Sequence, residues 1–150
     1  MRKFTLANKI YRYFDYTASS EKWISILSSA DKWQMDSVRT KAVKALGEIP
    51  LYPLVKLQIC IQYGIGYAWA KDALVSLCER SGRIKMEETS KLDMNAMVII
   101  ADVREQLAAT AIGSIQRKRK AEGLVEDHIN AITRVVKNQK NLQLEFQMED

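Results

Sequence analysis

The sequence predicts an all-α protein. It holds only two prolines and six glycines in 150 residues, so few breaks interrupt it. Apolar residues recur at spacings of three and four rather than in alternation, the period of a helix face. The breaks that exist are glycine, proline or Ser-Gly, the usual helix stops. The expected architecture is consecutive antiparallel helical hairpins, about six or seven helices with a long C-terminal helical extension. No internal repeat or glycine- and serine-rich linker divides the chain.

Taken in order, Phe4, Leu6, Ile10, Tyr11, Phe14 and Tyr16 fit a short first helix. Ser19 or Ser20 then suits an N-cap, with Glu21 in the first turn facing the positive end of the dipole. Trp23, Ile26, Leu27, Ala30 and Trp33 make one helical face, and Gln34 breaks it. Asp36 opens the next helix, which carries Met35, Val38, Ala42, Ala45 and Leu46 on one side and has Gly47 as its stop. The two form a hairpin.

Pro50 and Pro53 in "EIPLYP" mark the clearest break, and Pro53 suits a first helical position. "PLVKLQICIQYG" is apolar nearly all round, predicts the most buried helix, and ends at Gly64. The next helix, "GYAWAKDALVSLCERSG", turns Trp69, Ala70, Ala73, Leu74, Leu77 and Cys78 inward and stops at Ser81 and Gly82. After a helical turn in "MEETSKL", one long helix is expected from Met94 to Gly123, with Ile100, Arg104, Leu107, Ala111 and Ile115 aligned and Gly113 as a weak point. A last helix runs from Leu124 into the 140s on a stripe of Ile129, Ile132 and Val136. The tail "LQLEFQMED" continues it, frays or pairs as a strand.

The composition is 47% apolar and 27% charged, an ordinary globular balance, and the length suits one domain with a core of its own. No leader or membrane-spanning run is visible, which points to a cytoplasmic or nuclear protein and away from a membrane. Cys60 and Cys78 lie within apolar patterns without a CxxC motif and read as buried free thiols.

Little in the chain calls for catalysis. His128 is the one histidine, and with two dispersed cysteines it makes no typical zinc set; it reads as a surface residue. "GIGYAW" has Trp69 where a dinucleotide loop needs glycine, and no strand precedes it. Glu87 and Glu88 are adjacent on a polar segment, which disfavours a shared catalytic role. No cofactor or metal is therefore expected, and the chain reads as a non-enzyme.

The net charge of +5 is concentrated in Arg117, Lys118, Arg119 and Lys120. That block suits nucleic acid, acidic lipid or an import receptor, or simply a solvated helix end where cations meet the negative dipole. Trp23, Trp33 and Trp69 all stand on apolar faces and read as core. Arg39, Arg80 and Arg104 adjoin apolar positions. They read as structural clamps on a carboxylate (Asp31, Asp36, Glu79 or Glu105) or on helix C-terminal carbonyls.

These residues, in this order, resemble the helical region that follows the BTB (POZ) core, the BACK-like region, in BTB domain-containing proteins of mushroom-forming fungi. The family's hairpin pattern W-x-x-[IV]-L-x-x-A-x-x-W-x-[FM]-x-x-[IV]-R-x-x-A-[IV]-x-x-L is filled by Trp23, Ile26, Leu27, Ala30, Trp33 and Met35, then Val38, Arg39, Ala42, Val43 and Leu46. The pattern continues through Pro53, Lys56 and Leu57; Tyr63 and Ile65, with Trp69 one place late; Ala73, Leu77, Cys78 and Arg80; Glu87 and Glu88; and Ala101, Arg104 and Glu105. Asp93 stands in "KLDMN" where the family usually has glycine after its acidic pair.

The resemblance implies three parts. Residues 1–18 would be a remnant of the last BTB helix and its exit, 19–106 the helical module, and 107–150 a basic helical extension, with most of the BTB core missing. It implies a non-enzymatic protein–protein interaction module of an adaptor, with a cullin-type ubiquitin ligase scaffold as partner and residues 21–46 as the contact region. The alternative is a small basic helical protein that binds nucleic acid through 116–120 and 134–140. Homo-oligomerisation stays open.

Overall fold

A computed structural model describes residues 19–110 and 113–147, with side chains described as far as residue 140. The expected first helix, its BTB-remnant reading, Ala111 and residues 148–150 lie outside the described residues. The fold is all-α. Among the described residues there are seven α-helices and one 3-10 turn. They are α1 Ser20–Lys32, α2 Asp36–Glu48, α3 Pro53–Gln62, a 3-10 turn Tyr67–Ala70, α4 Lys71–Glu79, α5 Met86–Thr89, α6 Met94–Ala108 and α7 Ser114–Gln147. The chain divides into two compact units, one ending at Pro50 and one beginning at Leu51.

The first unit is the α1–α2 hairpin. Trp23, Leu27 and Ala30 of α1 and Ala42 and Leu46 of α2 are its buried residues. Val38 and Arg39 are half-buried at its edge. Gly47 does not stop α2, which runs on to Glu48.

The second unit is a helical cluster around α4. Leu57 and Cys60 of α3, Leu74, Leu77 and Cys78 of α4, and Ile99, Val103 and Leu107 of α6 are almost fully buried together. Trp69 is only partly buried and packs against this cluster from outside. Lys56 is the buried exception on apolar α3, 7% exposed. Its ammonium meets both Asp72 carboxylate oxygens at 2.8 and 2.9 Å and lies 5.2 Å from the centre of the Trp69 ring. A buried lysine needs such partners to offset its desolvation.

The single long helix expected from Met94 to Gly123 is two helices. α6 ends at Ala108, the Thr110 hydroxyl bonds back to the Gln106 carbonyl at 2.7 Å, and α7 starts at Ser114. The physical reason is burial. Ala121 and Val125 are fully buried and Ile129 is 7% exposed, packed with α4 and α6. Each large apolar side chain so placed contributes about 1.5–3 kcal/mol, and a broken helical turn forfeits hydrogen bonds worth about 1 kcal/mol each. Folding back therefore wins. Ile115, expected inside, is 73% exposed, and Gly123 lies within α7 rather than at its end. Val136, expected on the buried stripe of that helix, is 44% exposed. The 141–147 stretch continues α7 as helix.

Candidate functional site

The α1–α2 turn departs most from expectation. α1 closes with a reciprocal pair of turn bonds: Met35 N–H donates to the Ala30 carbonyl at 2.8 Å and Gln34 N–H to Asp31 at 3.2 Å. This is a Schellman closure, which needs a left-handed residue just past the helix. Gln34 supplies it, with φ 51°. α3 ends the same way, Ile65 bonding to Cys60 and Gly64 to Ile61, with Gly64 at φ 60°.

The closure corrects the reading of Trp33 as core. Helical spacing puts Trp33 in line with Trp23 and Ala30, but a core position also needs an element opposite. α1 has ended at Lys32 and α2 begins only at Asp36, so Trp33 stands at the tip with no facing helix turn in the hairpin. It is 70% exposed, and Met35, expected on the α2 inner face, is 44% exposed. The Lys32 ammonium lies 5.7 Å from the Trp33 ring centre, and Arg39 ties the helices through Asp31 at 3.5 Å.

The other arginines are clamps, though not with Glu79 or Glu105. Arg80 grips Glu88 with two bonds of 3.0 Å, and its hydrogen bonds hold the Glu88 carboxyl below the usual range. Glu88 also accepts from the Lys85 backbone at 2.8 Å, closing the start of α5. Arg104 donates to the Arg80 carbonyl and, at 2.6 Å, to that of Gly82. The guanidinium thus satisfies carbonyls left open where α4 ends.

The basic block lies at the start of α7, not at a helix C-terminus, so the dipole there opposes it. Its members point in different directions around the helix. Arg117 and Lys120 are half-buried, and the Lys120 ammonium donates to the Thr110 hydroxyl at 2.9 Å. Lys118 shares a shallow depression with Glu79 and Glu122. Lys118 and Arg119 are exposed.

His128 is not a free surface residue. Its Nδ1–H donates to the Leu124 carbonyl at 2.8 Å, and Nε2 lies 2.8 Å from the Asp102 carboxylate. It ties α7 to α6, a role that one histidine following Glu126 and Asp127 gives no sequence signal for. Cys60 and Cys78 are buried and free. Burial pushes their thiols up, to about 11 and about 12, so neither is a ready nucleophile. Among the described residues no group of His, Cys, Asp and Glu is placed to hold a metal ion, and no helix is long and apolar enough to cross a membrane.

No protein-family model, curated protein or solved structure matches this chain.

Proposed function

We propose that the chain is a non-enzymatic protein–protein interaction module whose contact surface is the tip of the α1–α2 hairpin. The observation that carries this reading is the exposure of Trp33, 70%, beside Met35 at a rigidly closed turn. Water contact with a large indole is unfavourable, and tryptophan is among the residues most often dominant in protein interfaces. A tip fixed by two turn bonds gives up little conformational entropy on binding. Lys32 and Asp36 beside it give the patch a charged rim.

Within this reading the resemblance to the helices that follow a BTB core favours an adaptor role, with a cullin-type scaffold as the partner. The test is direct binding of the purified chain to a purified cullin N-terminal region. The wild-type chain is expected to bind, and Trp33→Ser with Met35→Ser to weaken binding at least tenfold while leaving the helical signal and melting curve unchanged. Absence of binding removes the cullin assignment. Binding indifferent to both substitutions removes the hairpin tip as its surface.

Nucleic-acid binding through 116–120 and 134–140 is the second reading, and exposed Lys118, Arg119, Arg134, Lys137 and Lys140 favour it. Its mark would be steep loss of affinity with rising salt.

A further inference from the structure

A cleft of about 520 Å³ opens on the second unit, far along the sequence from the hairpin tip. One wall is the end of α3 and the turn after it, with Ile61 and Ile65. The other is α7, with Ile129, Ile132 and Val136 on successive turns and then Lys137 and Lys140. The lining is mostly apolar, as in small-molecule sites, and the volume falls in their usual range. From Ile129 to Lys140 the α7 wall is roughly 16 Å long at helical rise.

The polar groups sort unevenly. Asp93, at the start of α6, is the one carboxylate among the described lining residues. Its oxygens already accept from the Tyr67 hydroxyl and, at 2.9 Å, from the Ala96 N–H. The helix dipole offsets its charge further. The Thr133 hydroxyl is bonded to the Ile129 carbonyl at 2.8 Å. Lys137 and Lys140 have no ion pair among the described residues. They stand one turn apart, next in line after the apolar stripe, so apolar floor and positive end are arranged in series along one helix.

We propose that this cleft binds a medium-chain fatty carboxylate, its hydrocarbon body along Ile65, Ile132 and Val136 and its carboxylate between Lys137 and Lys140. The charge complementarity selects an anion, and the apolar strip ahead of it suits a hydrocarbon tail. A sheltered apolar chain supplies most of the affinity through burial, and the lysines supply head-group preference.

The experiment is calorimetric titration of the full chain with decanoate below its micelle concentration, with decanol as the uncharged control. Saturable one-to-one binding of decanoate is expected, with decanol about fivefold weaker. Lys137→Glu with Lys140→Glu should weaken decanoate about tenfold, since charge reversal adds repulsion, and leave decanol unchanged. Ile132→Trp should fill the cleft and abolish both. Should that variant fail to fold, Val136→Trp, at a more exposed position, serves the same end. Equal affinity for decanoate and decanol, or indifference to the lysine substitutions, overturns the head-group assignment. No saturable binding, or affinity that falls as the chain is concentrated because a second copy fills the cleft, overturns the proposal.

Discussion

Replacing Gln34 with glycine is expected to stabilise the hairpin. Gln34 holds φ 51°, a left-handed conformation that costs an L-residue about 1–2 kcal/mol. Glycine adopts it freely but gives up about 0.5–1 kcal/mol more backbone entropy on folding. The Gln34 side chain is exposed, so its loss removes no burial. The difference leaves a gain of about 0.5–1 kcal/mol. α3 supplies the mirror experiment. Gly64 occupies the equivalent place at φ 60°, and a Cβ built there meets nothing within 4 Å. Gly64→Ala should therefore cost about 1 kcal/mol through backbone conformation alone. Native-state hydrogen exchange is the suitable assay, because it follows the α1–α2 amides and the α3–α4 amides separately. Opposite signs at the two sites are the expected result. A neutral or destabilising Gln34→Gly would mean that something other than positive φ sets the energy of this turn.

Other expectations follow from the second unit. Gly123→Ala, at an exposed mid-helix site with no atom within 4 Å of the added Cβ, should raise stability by about 1 kcal/mol in urea unfolding. Arg104→Met should cost about 1–3 kcal/mol in the same assay, since the Arg80 and Gly82 carbonyls lose their donor. The carboxyls of Glu88 and Glu126 are lowered from 4.5, chiefly by hydrogen bonds from Arg80 and Lys71. Their contributions are therefore complete above pH 4.5 and fade as pH falls through the folded values. The acid limb of a thermal-melt profile should flatten in the Glu88→Gln, Glu126→Gln double variant. The thiols run the other way. They ionise near 9 when unfolded and at about 11 and 12 when folded, so their contribution is full below pH 9 and is lost as pH rises through 11 to 12. Cys60→Ala with Cys78→Ala should flatten that alkaline fall.

Helix positions in the middle of the chain were readable because their signals are local. Pro53 opens α3 and Gly64 closes it as backbone chemistry requires, and the 3.6-residue spacing found Leu27, Leu46, Leu77 and Leu107 on buried faces. Trp33 and Ile115 are exposed against their helical spacing for one common reason. Spacing reports which way a side chain points, and burial also depends on whether another helix reaches that level. Gly113 and Gly123 illustrate a second limit. Both are weak helix residues, and only the burial of Val125 and Ile129 against α4 and α6 decides that one helix starts just after the first and runs through the second. The candidate sites were harder still. The Asp93–Tyr67 bond and the two walls of the cleft join residues tens of positions apart, which no local pattern encodes.

The placement of His128 has a practical consequence. A protein with one imidazole gives one pair of ring C–H proton resonances, assignable without isotope labelling or mutagenesis. Because both ring nitrogens are held, one by Leu124 and one by Asp102, those signals are sensitive to the docking of α7 against α6. An ordinary one-dimensional proton spectrum could therefore follow, in real time and in a single tube, whether an added molecule loosens the long helix or leaves it seated.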